Sequence, residues 1–321
     1  MSNKTIAKFC TFVICLASVV LIFSACSMVP SGNSSTSKTS HYDPPKTTGS
    51  IANTEITESS GLAASKCQPN VYWTHNDSGD DAYIYAMNKS GGRLGTWKIP
   101  NAENLDWEDI ALFKDNAGKC FIYIGEIGDN QSKRDVHIIY RIREPKVSAP
   151  KVSADEAAST KQQPRITEQA DTIRFTYPDS KHNAETLLVH PTTADIYIVT
   201  KRVSGPAGVY RLKSKFDDGI EVIAQKVADI SMPAIPNGFV TGGDISPDGR
   251  NAVICDYAAA YEFTLPENST NFDDIWQQTP ESIDVGNREI GEAVCYTPDG
   301  GSIVLTSEGK NAPIIEVLRK H

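Results

Sequence analysis

The sequence predicts an all-β protein, and specifically a five-bladed β-propeller. Segments with helical periodicity are nearly absent from the 321 residues. Short runs of alternating apolar residues are instead separated by turn sequences such as "KSGGR", "SPDGR" and "TPDGG". One pair of strands also recurs five times along the chain. A recurring strand pair at this spacing is typical of propeller blades.

The first strand of each repeat has a recognisable start. The five starts read "SSGLA", "WEDIA", "AETLL", "GGDIS" and "GEAVC". Each places small or acidic residues before an aliphatic residue, and these aliphatic residues are Leu62, Ile110, Leu187, Ile245 and Val294. They are separated by 48, 77, 58 and 49 residues. A unit of about 50 residues fits one four-stranded blade.

The two ends of the chain are predicted to meet in the last blade. The fifth repeat contains three strands, "GEAVCYT", "SIVLTSE" and "PIIEVLR", before the chain ends. The segment "SIANTEI", Ser50–Ile56, is left over and is predicted to supply the fourth strand, which would close the ring. The alternative is six blades, with the extra blade in the long second interval, between Ile110 and Leu187. That interval contains a polar stretch near residues 149–170, which reads better as a surface insertion.

The N-terminus predicts export. Lys4 and Lys8 precede an apolar run, Phe9–Phe23, and a small-residue segment that ends at Cys26. The stretch "LIFSAC" resembles a bacterial lipoprotein signal, which implies cleavage after residue 25 and lipidation of Cys26; an ordinary signal peptide is the alternative. Residues 26–49 read as a flexible tether and 50–321 as the propeller domain. The expected location is the periplasmic face of the outer membrane or the cell surface, with the lipid bilayer as a partner.

Acidic residues recur where inner strands begin and where second strands end. Because inner strands line the central channel, these residues are expected to converge at one mouth. The candidate metal ligands are Glu108, Asp109, Glu126, Glu185, Asp244, Asp256, Glu292 and Glu308. Crowded carboxylates need a proton, a cation or a metal, and oxygen ligands suit Ca²⁺. The alternative is a water-filled acidic mouth that Lys201, Arg202 and Arg134 balance.

Two loop sequences are expected beside the same mouth. "HNDSGDD" and "GDNQSKR" supply five further mouth residues, namely His75, Asn76, Asp77, Asp129 and Asn130. Ordinary turn chemistry explains both sequences as well. Trp73 and Trp107 are expected to pack between blades, and stacking on a ligand is the alternative.

Four cysteines remain after the signal sequence is set aside. Cys67 and Cys120 occupy equivalent places in neighbouring repeats, so a disulfide between them is predicted. Cys255 and Cys295 lie on inner strands of neighbouring blades. They either form a second disulfide or remain buried thiols.

Several motifs together resemble a known group of propellers. "ESSGLAAS", "VYWTHNDSGD", "DWEDIAL", "YIGEIGDNQSKR", "AETLL" and "GEAV" look like the SdiA-regulated or YjiK-like family. They are also similar to the group called "esterase-like activity of phytase". The resemblance covers Glu58 to about Arg319. It implies a periplasmic or surface propeller with Ca²⁺ in the channel.

Two classes of function follow. A net charge of -9 without a long Lys/Arg run argues against nucleic acid as a partner. The favoured function is a lipid-anchored, Ca²⁺-binding module for a small molecule, a glycan or a protein. The alternative is a Ca²⁺-dependent hydrolase of a phosphate ester, lactone or carboxylic ester. Glu108 or Glu126 would then act as the base, and Lys201 or Arg134 would hold an anion. The chain has no Gly-x-Ser-x-Gly elbow, which favours the non-enzymatic function.

Overall fold

The computed structural model describes residues 40–147, 159–216 and 219–320, and these form five β-sheets. The chain begins with β1 (Lys46–Ser50). Blade 1 contains β2 (Ser59–Ala64), β3 (Tyr72–Asn76), β4 (Tyr83–Met87) and β5 (Arg93–Lys98). Blade 2 contains β6 (Trp107–Lys114), β7 (Cys120–Glu126) and β8 (His137–Arg143). Strand β10 (Asp171–Thr176) extends this blade. A short strand that lies between β8 and β10 in the chain, β9 (Arg165–Ile166), joins blade 1 instead.

The remaining blades each have four strands. Blade 3 contains β11 (Ala184–Val189), β12 (Ile196–Thr200), β13 (Ala207–Leu212) and β15 (Gln225–Ile230), while β14 (Glu221–Ile223) is added to the edge of blade 2. Blade 4 contains β16 (Gly242–Ile245), β17 (Asn251–Cys255), β18 (Ala260–Thr264) and β19 (Glu281–Ile283). Blade 5 contains β20 (Ala293–Tyr296), β21 (Ser302–Thr306), β22 (Pro313–Leu318) and β1. The five-bladed, all-β prediction is confirmed, and the six-bladed alternative is wrong.

The ring closes as predicted, but with a different segment. Strand β1 pairs antiparallel with β22, from Lys46 opposite Glu316 to Ser50 opposite Pro313. Of the predicted segment, Ser50 is the last residue of β1, whereas the residues after it leave the sheet and pack Ile51 and Ile56 between blades 5 and 1. The side chains of β1 are mostly exposed. This strand therefore forms through backbone pairing with β22, although its sequence has no apolar alternation. The propeller therefore begins inside the segment predicted to be a tether.

The insertion predicted near residues 149–170 is described from residue 159 onward. Its strand β9 pairs in parallel with β5, at the outer edge of blade 1. The Ser159 hydroxyl accepts a hydrogen bond from the Thr96 amide (2.9 Å) and donates one to the Thr96 carbonyl (2.7 Å). This part of the insertion thus covers the exposed edge of blade 1.

The core lies between neighbouring blades, where alternate residues of each strand meet. Trp73 is fully buried and packs edge-on against Trp97, with ring centroids 5.0 Å apart. Trp107 is equally buried and lies beside Tyr140. Both tryptophans therefore have the expected packing role.

The cysteines form one disulfide. Cys67 and Cys120 are bonded, with Cα atoms 6.1 Å apart, and this bond joins the turn after β2 in blade 1 to the start of β7 in blade 2. Cys255 and Cys295 are free and buried, so their predicted pairing is wrong and the thiol alternative holds. Cys255 packs in the layer between blades 4 and 5, whereas Cys295 packs between blades 5 and 1. The two side chains therefore lie in different apolar layers.

The predicted signal, Cys26 and most of the predicted tether lie outside the described residues. In the part of the chain that is described, no helix has the length and apolar character needed to cross a membrane. The helical element there is a short 3-10 helix, Phe272–Gln277, in blade 4.

Candidate functional site

Acidic side chains from four blades meet at one end of the channel. They come from the loops and strand ends where the inner strands begin. We call them the acidic mouth: Asp77, Asp106, Glu108, Glu185, Glu292 and Glu308. The charge of the Glu108 carboxylate interacts with those of Glu185, Asp77, Asp106 and Glu292. Carboxylates of four blades therefore share one electrostatic environment.

The tightest group within the acidic mouth is a triad of Asp77, Asp106 and Glu108. One carboxylate oxygen of each lies within 4.8 Å of the other two. Burial raises the pKa of Asp77 to about 7, with a further contribution from Asp106. Burial, followed by the Glu126 charge, raises the pKa of Asp106 to about 6. Burial, followed by the Glu185 and Asp77 charges, raises the pKa of Glu108 well above its ordinary value.

Glu108 is the most deeply placed member of the triad. It is only 3% exposed, and no described residue donates a hydrogen bond to its carboxylate. The absence of a side chain at Gly128 leaves room for the carboxylates of Glu108 and Asp106. A Cβ atom there would lie 2.1 Å from Glu108 Oε1 and 2.5 Å from Asp106 Cγ. A buried carboxylate without a donor is costly unless a cation or a proton compensates its charge.

The opposite side of the acidic mouth contains its one ion-paired lysine among the described residues. Lys201 Nζ lies 3.0 Å from Glu185 Oε2 and over the rings of Phe239 and Tyr257. Burial by itself lowers the pKa of Lys201, but Glu185, Tyr257 and Glu292 together outweigh it, and the net shift is upward. This lysine is therefore held as a cation.

Two carboxyl groups of blade 5 complete the ring. Glu292 precedes β20, and Glu308 follows β21. Burial raises the pKa of Glu292, and the neighbouring charge of Glu308 raises it further. A proton on Glu292 would relieve the repulsion between the two carboxyl groups.

Two predicted ligands, Asp109 and Asp244, do not reach the acidic mouth. Both are used by backbone amides in the channel wall. Asp109 accepts hydrogen bonds from Ile110 (2.8 Å), Leu187 (2.9 Å) and Gly243 (3.3 Å), and so connects blades 2, 3 and 4. Asp244 accepts from its own neighbour and from Tyr296 of blade 5 (2.9 Å). Their assignment as metal ligands is corrected, because these amides occupy their oxygens.

Glu126 and Asp256 also have other partners. Glu126 accepts hydrogen bonds from the amides of Leu105 and Asp106, and it pairs with Arg134 at 2.5 Å. It therefore positions the loop that carries a triad member. Asp256 accepts from two amides of its own turn and from the Tyr261 hydroxyl (2.7 Å). Both are corrected from metal ligands to residues that support loops.

The other predicted mouth residues mostly support loops as well. His75 packs edge-on against Trp107, and burial lowers its pKa to about 4, so it is neutral. The Asn76 side chain accepts from two amides of the preceding loop. Asp129 accepts from the Arg134 amide (2.7 Å), and Asn130 contacts an asparagine side chain. Asp77 alone of this set joins the triad.

Of the predicted residues, the structure brings together Asp77, Glu108, Glu185, Glu292, Glu308 and Lys201. Sequence reasoning missed Asp106 and Gly128. Asp106 stands in the motif "NLDWED", two positions before Glu108. Asp106 lies in the bend before β6, and the strand pairing is irregular between Trp107 and Asp109, so its approach to Glu108 depends on loop geometry that the spacing alone does not indicate. The role of Gly128 depends on a contact between loops, which no local pattern indicates.

Comparisons with known proteins add little to the geometry. No family model matches the chain, and no curated protein matches it. The family resemblance of the motifs therefore has no support from these searches. Among solved structures, one match is described as "Structure of Dos1 propeller". It is 10% identical, with a TM-score of 0.35, and the match covers 82% of this chain and 68% of that one.

Proposed function

We propose that this propeller is a binding module that holds a divalent cation, Ca²⁺, in its acidic mouth. The observation that carries the proposal is the triad of Asp77, Asp106 and Glu108 around a buried carboxylate without a donor. Their oxygens are hard ligands, and the triad contains no histidine or cysteine. Such a donor set favours Ca²⁺ over zinc or copper.

The charge balance of the acidic mouth supports a bound cation. Six carboxyl groups meet there, and Lys201 offsets the charge of one of them. Arg134 is already paired with Glu126, and Arg202 is exposed. The alternative of a mouth balanced by these three cations is therefore weaker. A divalent ion would relieve the remaining repulsion.

Calcium titration by calorimetry after EDTA treatment tests the proposal. The wild-type chain is expected to bind one ion, and Glu108→Gln is expected to weaken binding at least tenfold. Gly128→Ala should weaken it too, because its methyl group displaces two triad carboxylates without changing any charge. Glu289→Gln, at an exposed position three residues before Glu292, is the matched control and should leave affinity unchanged. Absence of calcium binding by the wild type would overturn the proposal.

The hydrolase alternative has less support from the arrangement of side chains. Lys201 and Arg134, proposed to hold an anion, each form an ion pair with a glutamate. Glu126, a proposed base, accepts backbone hydrogen bonds. Glu108 is the one catalytic candidate left without such a partner among the described residues. A screen with nitrophenyl phosphate and acetate esters, with Glu108→Gln as control, would reveal such an activity.

Lipid attachment at Cys26 is proposed from the signal-like N-terminus alone. Its expected consequence is an exported protein at the outer membrane or the cell surface. Expression of the full chain with labelled palmitate should mark the wild type, and Cys26→Ser should lose both the label and the membrane fraction. Equal labelling of the two proteins would contradict the anchor.

A further inference from the structure

The channel has a second mouth, at the end opposite to the acidic one. It is formed where the chain turns back after each inner strand. One residue from each blade lines a cavity of about 260 Å³ there. We call it the proline mouth, and its residues are Lys66, Lys114, Pro191, Pro247 and Pro298. Three of the five are prolines, so the two lysines are its charged members.

Lys66 lines this cavity within electrostatic range of side chains from three other blades, namely His190, Asp244 and Cys295, of which Asp244 is the acid. Burial lowers the pKa of Lys66, and the Asp244 carboxylate opposes that shift. In the described chain, no hydrogen bond or ion pair engages the Lys66 ammonium. Asp244 itself is occupied by the amides of Ile245 and Tyr296.

Lys66 is therefore a partly buried cation whose charge is not locally compensated. The proline side chains offer no hydrogen-bond donors, and a proline has no backbone N–H. Recognition at this mouth must come from the ammonium groups of Lys66 and the exposed Lys114. Lysine is a compact point charge that suits a small oxyanion. We propose that the proline mouth binds a small oxyanion of the phosphate type, held by Lys66 and Lys114.

The phosphate can be free or part of a lipid headgroup. The N-terminal chain enters the propeller at this same end. Strand β22 ends here, and Arg319 donates its amide proton to the Gly301 carbonyl in the turn beside Pro298. Tyr42 forms a bridge with Arg319. Cys26 is 14 positions before Ser40. The N-terminal segment thus enters the propeller beside the proline mouth, and a lipid headgroup is the second source of phosphate to be tested.

Titration of the full chain with inorganic phosphate tests the site. The wild type is expected to bind one phosphate ion. Lys66→Met should weaken binding at least tenfold, and Lys114→Met should weaken it less, because Lys114 is exposed. Lys89→Met is the matched control, since Lys89 lines a neighbouring groove but not the proline mouth. Absent phosphate binding, or binding that survives Lys66→Met, would overturn the proposal.

A stability measurement keeps the test independent of folding defects. Without phosphate, Lys66→Met should raise the melting temperature, because it removes an uncompensated and poorly hydrated charge. Added phosphate should raise the melting temperature of the wild type and not that of the variant. A melting temperature lowered by Lys66→Met in phosphate-free buffer would contradict the uncompensated charge on which the proposal depends.

Vesicles distinguish the two sources of phosphate. The lipid headgroup would be identified if the wild type binds phosphatidylglycerol vesicles but not phosphatidylcholine vesicles, and if Lys66→Met abolishes that binding. Phosphate binding without vesicle binding would identify the free ion. Calcium affinity should be unchanged by Lys66→Met, because the acidic mouth lies at the other end of the channel. The two proposals can therefore fail separately.

Discussion

At the residue scale, the adjacent acids Glu108 and Asp109 show how little separates a candidate ligand from a structural residue. The pairing of β6 with β7 shifts register between Trp107 and Asp109, so Glu108 stands at an irregular point of the strand and Asp109 in the regular ladder. Glu108 joins the acidic triad, whereas Asp109 accepts backbone hydrogen bonds from three blades. An acidic residue thus adds to the charge repulsion of the acidic mouth at position 108, whereas at position 109 it stabilises the channel wall through hydrogen bonds.

These two positions should respond oppositely to neutral isosteres. In calcium-free buffer, Glu108→Gln should raise the free energy of unfolding, because it removes a buried charge from a repulsive group. Asp109→Asn should lower it by about 1–3 kcal/mol, because its amide group faces a backbone donor that then loses its acceptor. Urea unfolding of both variants measures the two signs. A destabilised Glu108→Gln would contradict the repulsion inferred here.

A buried histidine predicts acid sensitivity. His137 is fully buried beside Phe175, and burial lowers its pKa from 6.5 to about 4. Between these values the unfolded chain binds a proton that the folded chain excludes, so stability falls as pH decreases from 6.5 to 4. The full cost is at most about 3.4 kcal/mol.

Substitution of His137 by phenylalanine isolates this effect from other titrating groups. Asp77 and Asp106 act in the opposite direction, because their raised pKa values favour the folded state as pH decreases. His137→Phe should therefore lose less stability than the wild type between pH 6.5 and 4, as measured by urea unfolding. Parallel pH profiles of the two proteins would show that His137 does not contribute.

At the element scale, β1 supplies the closing strand of blade 5 without a strong sequence pattern. Its five residues, "KTTGS", are paired to β22 through the backbone. The preceding Tyr42 is buried, and its hydroxyl donates to Glu262 (2.6 Å). The Tyr296 hydroxyl donates to the same carboxylate, which also pairs with Arg319. The N-terminal segment is thus attached by both pairing and a buried polar cluster.

Two N-terminal truncations distinguish the contribution of β1 to stability from that of the residues before Ser40. A protein that starts at Ser40 should retain the melting temperature of the full chain. A protein that starts at Ile51 should melt several degrees lower and aggregate, because β22 becomes an open edge. Thermal unfolding and size-exclusion chromatography measure both effects. Equal behaviour of the two truncations would show that β1 contributes nothing to closure.

At the scale of the whole molecule, the Cys67–Cys120 disulfide fastens blade 1 to blade 2. It closes a segment of 53 residues, for which loop entropy predicts a stabilisation of up to about 4 kcal/mol. In urea unfolding, the double variant Cys67→Ser/Cys120→Ser should have a free energy of unfolding that is lower by much of this amount. A dithiothreitol-treated wild type should match it, whereas dithiothreitol should leave the double variant unchanged.

The two mouths of the channel carry side chains of opposite charge. Six carboxyl groups lie at one end, and Lys66 and Lys114 lie at the other. Asp109 and Asp244 lie between them, where backbone amides engage them. One rigid ring can therefore present a cation site and an oxyanion site on opposite faces, because the blades hold the two sets of turns apart.

Local pattern alone determined the class of fold, the number of blades, the pairing of Cys67 with Cys120, and the convergence of Glu108, Glu185 and Glu292. These features follow from strand alternation and repeat spacing, which neighbouring residues encode. Tertiary structure decided which acids remain without donors, since that depends on amides from other blades. It also decided the use of β1 for closure, the separation of Cys255 from Cys295, and the position of Lys66. Each of these depends on packing between segments distant in sequence, which no local pattern specifies.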